Sequence, residues 1–214
     1  MDDIKLIIFD LDGTLVDAYA AITKSFNFAM KKMGYQQKKL VTIKKAVGWG
    51  DRKLLETFVD GKDLENALSI YRKHHAKSLT QYAKIKKSSI KMLKVFKERG
   101  LKLAIATNRP TKFSKILLKT LKINEFFDYL LCSDKLKNGK PHPEILSKIL
   151  CRFKLDKKQA IYVGDMAIDA ITGRRSGIRT IIILGGSSSE KEIKKEKPFK
   201  IIKNIKSLTK IVTK

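Results

Sequence analysis

Two rhythms of apolar residues divide this chain. Residues 4–9 (IKLIIF) are a short, β-branched run that stops at acids, the pattern of a strand buried on both faces. Over 18–33, Ile22, Phe26, Ala29, Met30 and Met33 recur at helical spacing, and Gly34 ends the run. Helical spacing continues through 40–47, 52–59 and 64–81, so 16–83 reads as a helical block without a strand. Beyond it, strand and helix alternate. Helix 88–99 closes at Gly100 and is followed by strand 101–106 (LKLAIA), helix 111–121 behind Pro110 and strand 127–132 (FDYLLC). Helix 143–153, strand 160–163 (AIYV), helix 169–176 and strand 180–184 (TIIIL) come next. Segment 185–198 reads as a loop with a short solvated helix, before a strand or turn at 199–202 and a helix at 205–212.

Such close alternation predicts an α/β fold, a Rossmann-like parallel sheet core with helices on both faces, interrupted by an all-α insertion. The expected domains are a core of 1–15 and 84–214 and a helical cap of 16–83. The insertion leaves the core directly after the first strand, so it is expected to hang over the strand ends, where open α/β sheets bind ligands.

Composition narrows the reading only modestly. With 214 residues, 43% hydrophobic and 32% charged, the chain can bury one good core and a smaller lobe. Its start has acids first and a short apolar run, neither a secretory signal nor a membrane span, and no later run reaches spanning length. Cys132 and Cys151 have no metal or redox spacing and fit a reducing cytoplasm. The net charge of +26 is unusual, but 39 of the 47 basic residues are lysine, scattered over every predicted helix. Residues 1–15 carry −3, 16–83 carry +7 and 84–214 carry +22. A nucleic-acid surface usually gathers arginine beside aromatics, and no such block occurs, so the excess reads as a solvated lysine-rich surface.

Candidate chemistry collects at four strand ends. The first carries Asp10 and Asp12 with Gly13 and Thr14, the second Thr107, Asn108 and Arg109. Lys140 follows the third, and Gly164 and Asp165 follow the fourth, with Asp169 four residues on. Two carboxylates two positions apart face the same way on an extended strand end, and such a pair needs a positive partner.

FDLDGT, ATN, KPHP and VGDMAID closely resemble, in order and spacing, the four motifs of the haloacid dehalogenase-like hydrolases. The likeness is greatest to the branch with a helical cap inserted after the first strand, which includes phosphoglycolate phosphatase-like enzymes, pyrophosphatases and β-phosphoglucomutase. The resemblance implies a phosphatase of a small phosphorylated metabolite that uses Mg²⁺ and an aspartyl-phosphate. Asp10 is then nucleophile and metal ligand, Asp165 a second ligand, and Asp12 a ligand through its backbone carbonyl and an acid/base through its side chain. Thr107 and the Asn108 N–H are expected to hold phosphate oxygens, Lys140 to neutralise the phosphoryl charge, and Asp169 to orient Lys140 or a metal-bound water. Phosphate monoesters are among the slowest substrates to hydrolyse unaided, because an anion must approach an anion, and a hard cation on carboxylates answers that difficulty.

Weaker expectations concern the insertion. Lys44–Lys53 (KKAVGWGDRK) resembles the glycine-containing cap loop of the family. There Lys45 and Arg52 are candidates to meet a carboxylate or second phosphate, and Trp49 to wall the pocket. Asp17 is expected either to brace the crossing into the cap or simply to cap a helix. His74 and His75, mid-helix and without partner spacing, read as surface or core. The Pro-Gly often found where such chains re-enter the core is replaced near KIKKSS. A true haloacid dehalogenase is excluded by Asp12, and a phosphonatase is disfavoured because no cap lysine can be assigned. β-Phosphoglucomutase-like transfer stays open, as does a basic nucleic-acid-associated protein, against which four intact motifs argue.

Overall fold

The computed structural model describes residues 3–212, so residues 1–2 and 213–214 of the expected core lie outside the described residues. Six parallel strands form one sheet: β1 (Leu6–Phe9), β4 (Lys102–Thr107), β5 (Tyr129–Cys132), β6 (Ala160–Gly164), β7 (Arg179–Ile183) and β8 (Lys200–Ile202). Their order is β5-β4-β1-β6-β7-β8. β1 is thus central, with chain order running outward on both sides of it. The carboxyl ends of β1, β4 and β6 lie side by side at the point where the winding reverses.

The strands are apolar throughout because both faces are covered, and alternate residues serve different layers. Ile7, Phe9, Leu103, Ile105, Ile161 and Val163 enter one apolar cluster, whereas Leu6, Ile8, Ala104, Ala106 and Tyr162 enter another with Ile145 and Ile149. Around the sheet lie α5 (Ser89–Glu98), α6 (Thr111–Thr120), α7 (Glu144–Phe153), α8 (Ala167–Ser176), α9 (Glu190–Lys195) and α10 (Lys206–Val212).

Between β1 and β4 come α1 (Tyr19–Lys32), α2 (Leu40–Ala46), α3 (Asp51–Glu56) and the long α4 (Leu64–Tyr82). α1 packs on α4, and α4 in turn on α6, so Ile22, Phe26, Leu55 and Leu68 share the apolar cluster that contains Phe9. One correction is needed here. The block is not strand-free, because β2 (Val16–Asp17) pairs antiparallel with β3 (Lys84–Ile85), Val16 opposite Ile85 and Asp17 opposite Lys84. Two residues a side are too few to show any periodicity in sequence. Among the described residues no helix is long and apolar enough to cross a membrane.

Candidate active site

Asp10 follows β1 directly and is 6% exposed. Its Oδ1 accepts a hydrogen bond from Lys140 Nζ at 2.6 Å, and the same ammonium donates to Asp169 Oδ1 at 2.7 Å and to the Tyr162 hydroxyl at 3.1 Å. All three ammonium donors are therefore used. Burial alone would lower the Lys140 pKa, but Asp10 and Asp169 outweigh it and hold the group above the ordinary lysine value. Burial pushes the Asp10 pKa up to about 7 against the pull of Lys140, with Asp169 and Asp12 adding to the rise.

Asp169 lies in the first turn of α8 and faces two ways. Oδ1 accepts from Lys140 and from Tyr162 (2.6 Å), while Oδ2 accepts the N–H groups of Asp165 and Met166 at 3.2 and 3.1 Å. It thereby fixes both the ammonium and the loop that carries Asp165. The Asp165 carboxylate is 0% exposed and meets only hydroxyls, Thr14 at 2.8 Å and Tyr19 at 3.5 Å. No salt bridge reaches it among the described residues, and burial together with Asp10 raises its pKa well above the usual carboxylate range. It is walled in by glycine: a Cβ at Gly13 would stand 2.1 Å from its Oδ2, and one at Gly186 2.0 Å. Carboxylate oxygens of Asp10, Asp165 and Asp169 come within 4.8 Å of one another. A buried acid that no salt bridge neutralises, with the more distant Lys86 as the cation opposing its rise, beside a second acid in an all-oxygen setting, fits a hard divalent ion such as Mg²⁺.

The end of β4 supplies Thr107, Asn108 and Arg109, all buried. The Asn108 side chain is fully committed. It donates to the carbonyls of Gly48 and Lys140, both at 3.0 Å, and accepts the Lys140 N–H at 2.8 Å, tying a loop of the helical block to the lysine loop. Thr107 Oγ1 accepts the Arg109 N–H at 3.2 Å.

Arg109 stands at the strand end where the sequence put it, but with partners that its spacing did not announce. Its Nε and Nη2 donate to the two oxygens of Asp12 at 2.8 and 2.7 Å, and its Nη1 meets His75 Nε2 at 2.8 Å. Burial and the neighbouring guanidinium press the His75 pKa down to about 2, so the ring is neutral and Nε2 accepts. Its Nδ1 then donates to Ser25 Oγ at 3.0 Å, and that hydroxyl donates to the Ala21 carbonyl at 3.0 Å. A chain of hydrogen bonds thus runs from α1 through α4 to Asp12. His75, read from sequence as surface or core, is buried and lines the cavity. Its partner His74 is half-buried and stacks on Phe28 at 4.3 Å.

These groups surround one cavity of about 50 Å³, room for a few waters. Asp10, Asp12, Thr107, Asn108, Arg109 and Lys140 line it from the sheet side, and Ile22, Gly48, Gly50, Asp51, Leu54, Tyr71 and His75 from the helical block. The cap-loop expectations need correcting side chain by side chain. The loop backbone does reach the cavity at Gly48 and Gly50, both with left-handed φ (116° and 93°). Trp49 between them turns outward and is 50% exposed, and Arg52 pairs with Glu65 on the surface. Lys45 is exposed as well, whereas Lys44 lies over the Tyr19 ring at 4.8 Å and donates to the Gly185 carbonyl. Asp17 Oδ1 accepts the Tyr19 N–H at 3.2 Å at the entry to α1.

Residues 7–183 match the haloacid dehalogenase-like hydrolase family, and the chain belongs to it. It is a hydrolase with the α/β fold of that family, the helical block α1–α4 inserted after β1. A phosphoglycolate phosphatase of Aquifex aeolicus is 31% identical over 85% of either chain. The pyrophosphatase PpaX of Halalkalibacterium halodurans is 28% identical over 98% of this chain and 97% of its own. Among solved structures, a haloacid dehalogenase-like family hydrolase from Streptococcus pneumoniae superposes with a TM-score of 0.90 at 27% identity, over 99% of this chain and 100% of the other.

Proposed function

We propose that this protein is a cytoplasmic, Mg²⁺-dependent phosphatase of small phosphorylated metabolites that works through an aspartyl-phosphate on Asp10. The observation that carries the reading is the pairing of Asp10 with Lys140 beside the buried carboxylate of Asp165, which no salt bridge reaches among the described residues. The relatives' names make phosphoglycolate and pyrophosphate the first substrates to test.

Lys140 occupies Asp10 Oδ1, which leaves Oδ2 to attack phosphorus. As that P–O bond forms, the ester P–O bond breaks and the leaving oxygen takes a proton. Asp12 is the donor once it is protonated and one of its oxygens is freed from Arg109, which holds both in this structure. Water then attacks the phosphorus of the aspartyl-phosphate and surrenders its proton to Asp12, so phosphate leaves and Asp10 is regenerated. Thr107 and the Asn108 N–H, just ahead of α6, hold phosphoryl oxygens in this reading. The metal would be held by Asp10, Asp165 and the Asp12 backbone carbonyl, because both oxygens of Asp169 are already spent on Lys140, Tyr162 and two N–H groups. When bound, Mg²⁺ supplies the positive charge that lets the two anions meet.

The test is a turnover screen of phosphoglycolate, pyrophosphate, sugar phosphates and nucleotides, with Mg²⁺ and with EDTA. Hydrolysis that EDTA abolishes is expected. No turnover of any substrate in Mg²⁺ would end the assignment. A filter-binding titration with DNA against salt addresses the +26 charge, and weak binding that shows no site of its own is expected.

A further inference from the structure

With Trp49 and Arg52 turned away, something else must read the part of the substrate that is not phosphate. The wall opposite Asp10 is largely apolar, formed by Ile22, Leu54 and Tyr71, and the acid that also lines it, Asp51, is held through both oxygens by Arg72. Of the two cations that line the cavity, Lys140 is saturated by Asp10, Asp169 and Tyr162. Arg109 is not saturated. A guanidinium has five N–H donors, and three are accounted for by Asp12 and His75. One N–H on Nη1 and one on Nη2 meet no acceptor among the described residues, although the side chain is buried. Tyr71 repeats the pattern: it is 2% exposed, it lines the same cavity, and its hydroxyl has no hydrogen-bond partner among the described residues. Its ring stacks on His75 at 4.8 Å, which sets it beside the guanidinium. These donors open on the cavity with unused capacity, and a ligand that satisfies them gains hydrogen bonds there.

We infer that Arg109, seconded by the Tyr71 hydroxyl, is the specificity-determining group of this site and receives a second anionic group on the substrate. The inference rests on the phosphatase reading and names its substrate class: a phosphate ester or anhydride carrying a carboxylate or another phosphate a few atoms from the scissile bond. The small cavity favours a compact molecule. The planar guanidinium suits either anion bidentately, whereas a neutral hydroxyl in its place would leave a buried cation short of acceptors. His75, held by Ser25, fixes the guanidinium from the helical block, so this receptor is complete only when that block rests on the sheet.

The experiment compares kcat/KM for 2-phosphoglycolate with that for 2-hydroxyethyl phosphate, which has the same length and no carboxylate, in the Mg²⁺-loaded wild type, Arg109→Lys and Tyr71→Phe. In parallel, calorimetry on the Mg²⁺-loaded proteins measures binding of phosphonoacetate, methylenebisphosphonate and ethylphosphonate, none of which can turn over. The wild type should favour the doubly anionic member of each set by about 10- to 100-fold, the scale of a charge-assisted hydrogen-bond pair. Arg109→Lys should remove most of that ratio and Tyr71→Phe a few-fold of it, chiefly through KM. Phosphonoacetate and methylenebisphosphonate then tell carboxylate from phosphate as the second group. Equal wild-type binding of all three probes, or an Arg109→Lys loss equal for charged and neutral members, would overturn the inference. If nothing is turned over but the binding ratio persists and depends on Arg109, the phosphatase reading falls and the anion receptor stands.

Discussion

At the Asp10 end of the cavity the charged groups come from the sheet side alone, whereas at the Arg109 end the contacts cross from the sheet to α4 and α1. Asp10 and Asp165 stand just after their strands, Lys140 in the loop before α7 and Asp169 in the first turn of α8. The first end is a cluster of acids gathered round one ammonium, with the Asp165 carboxylate left over. The second is a relay of neutral and charged donors that ends in two unspent N–H groups. Removing a charge from the first end should therefore change chemistry and stability in opposite directions, depending on its sign. Removing a group that the helical block lends to the second, His75 or Tyr71, should change selection and pH response more than catalysis.

The largest effect is expected of Asp10→Asn. Loss of the proposed nucleophile should cost on the order of 10⁴-fold or more in kcat. The melting temperature should stay level or rise, because one of several crowded buried acids has been neutralised. A melting temperature far below wild type would show that Asp10 is structural. Lys140→Met is the converse. It strands the Asp10 and Asp169 carboxylates without their cation and should destabilise the metal-free protein by about 3–5 kcal/mol, as breaking a buried ion pair does. Denaturant unfolding measures it, and a variant as stable as wild type would mean that the two acids take up protons at no cost.

A smaller effect separates the two ends by pH. His75 stays neutral in the folded protein down to about pH 2, while an unfolded imidazole takes a proton near 6.5. The stability it contributes is thus fully present above about pH 6.5 and is lost progressively as pH falls toward 2. The groups that face it (Arg109, His74, Tyr71, Ser25 and Phe113) offer no acid to reverse the sign. His75→Gln, which can still accept from Arg109, should flatten the fall in melting temperature between pH 6.5 and 4. An unchanged slope would place the proton uptake elsewhere. The smallest effect belongs to Trp49→Ala and Arg52→Ala. Both side chains face solvent, so stability should move by no more than about 0.5 kcal/mol. The substrate ranking should also hold, and a change in it would return specificity to this loop.

The same contrast explains what the sequence could tell. The Asp10 end was legible because its residues close apolar runs, and a parallel sheet delivers the ends of such runs to one edge. Asp10, Thr107, Asn108, Lys140, Asp165 and Asp169 all meet there. The Arg109 end depends on which face of α4 turns inward and on where α4 lands, and neither is local information. A trace existed: Tyr71, His75 and Ser78 lie on the helix stripe of Ala67, Leu68 and Leu79, where polar groups need partners. Arg109 stood beside recognised motif residues, but nothing in its spacing named His75 or Asp12 as its partners. In the loop before α3 the glycines were informative and the side chains were not. Two left-handed backbones turn the chain so that Gly48 and Gly50 meet the cavity and Trp49 leaves it.

The ribbon of β2 and β3 has a mechanical consequence. The chain enters α1–α4 and leaves them at two points, and pairing of Val16 with Ile85 and Asp17 with Lys84 ties those points together. Two separate tethers would let the helices slide or twist over the sheet, but a pair clasped side by side leaves one axis, like the spine of a book. Lys86, the next residue along, donates to the Gly13 carbonyl, and Gly13 forms one wall around Asp165. The spine is therefore anchored in the acid cluster itself, and swinging the cover pulls first on the page where the chemistry is written.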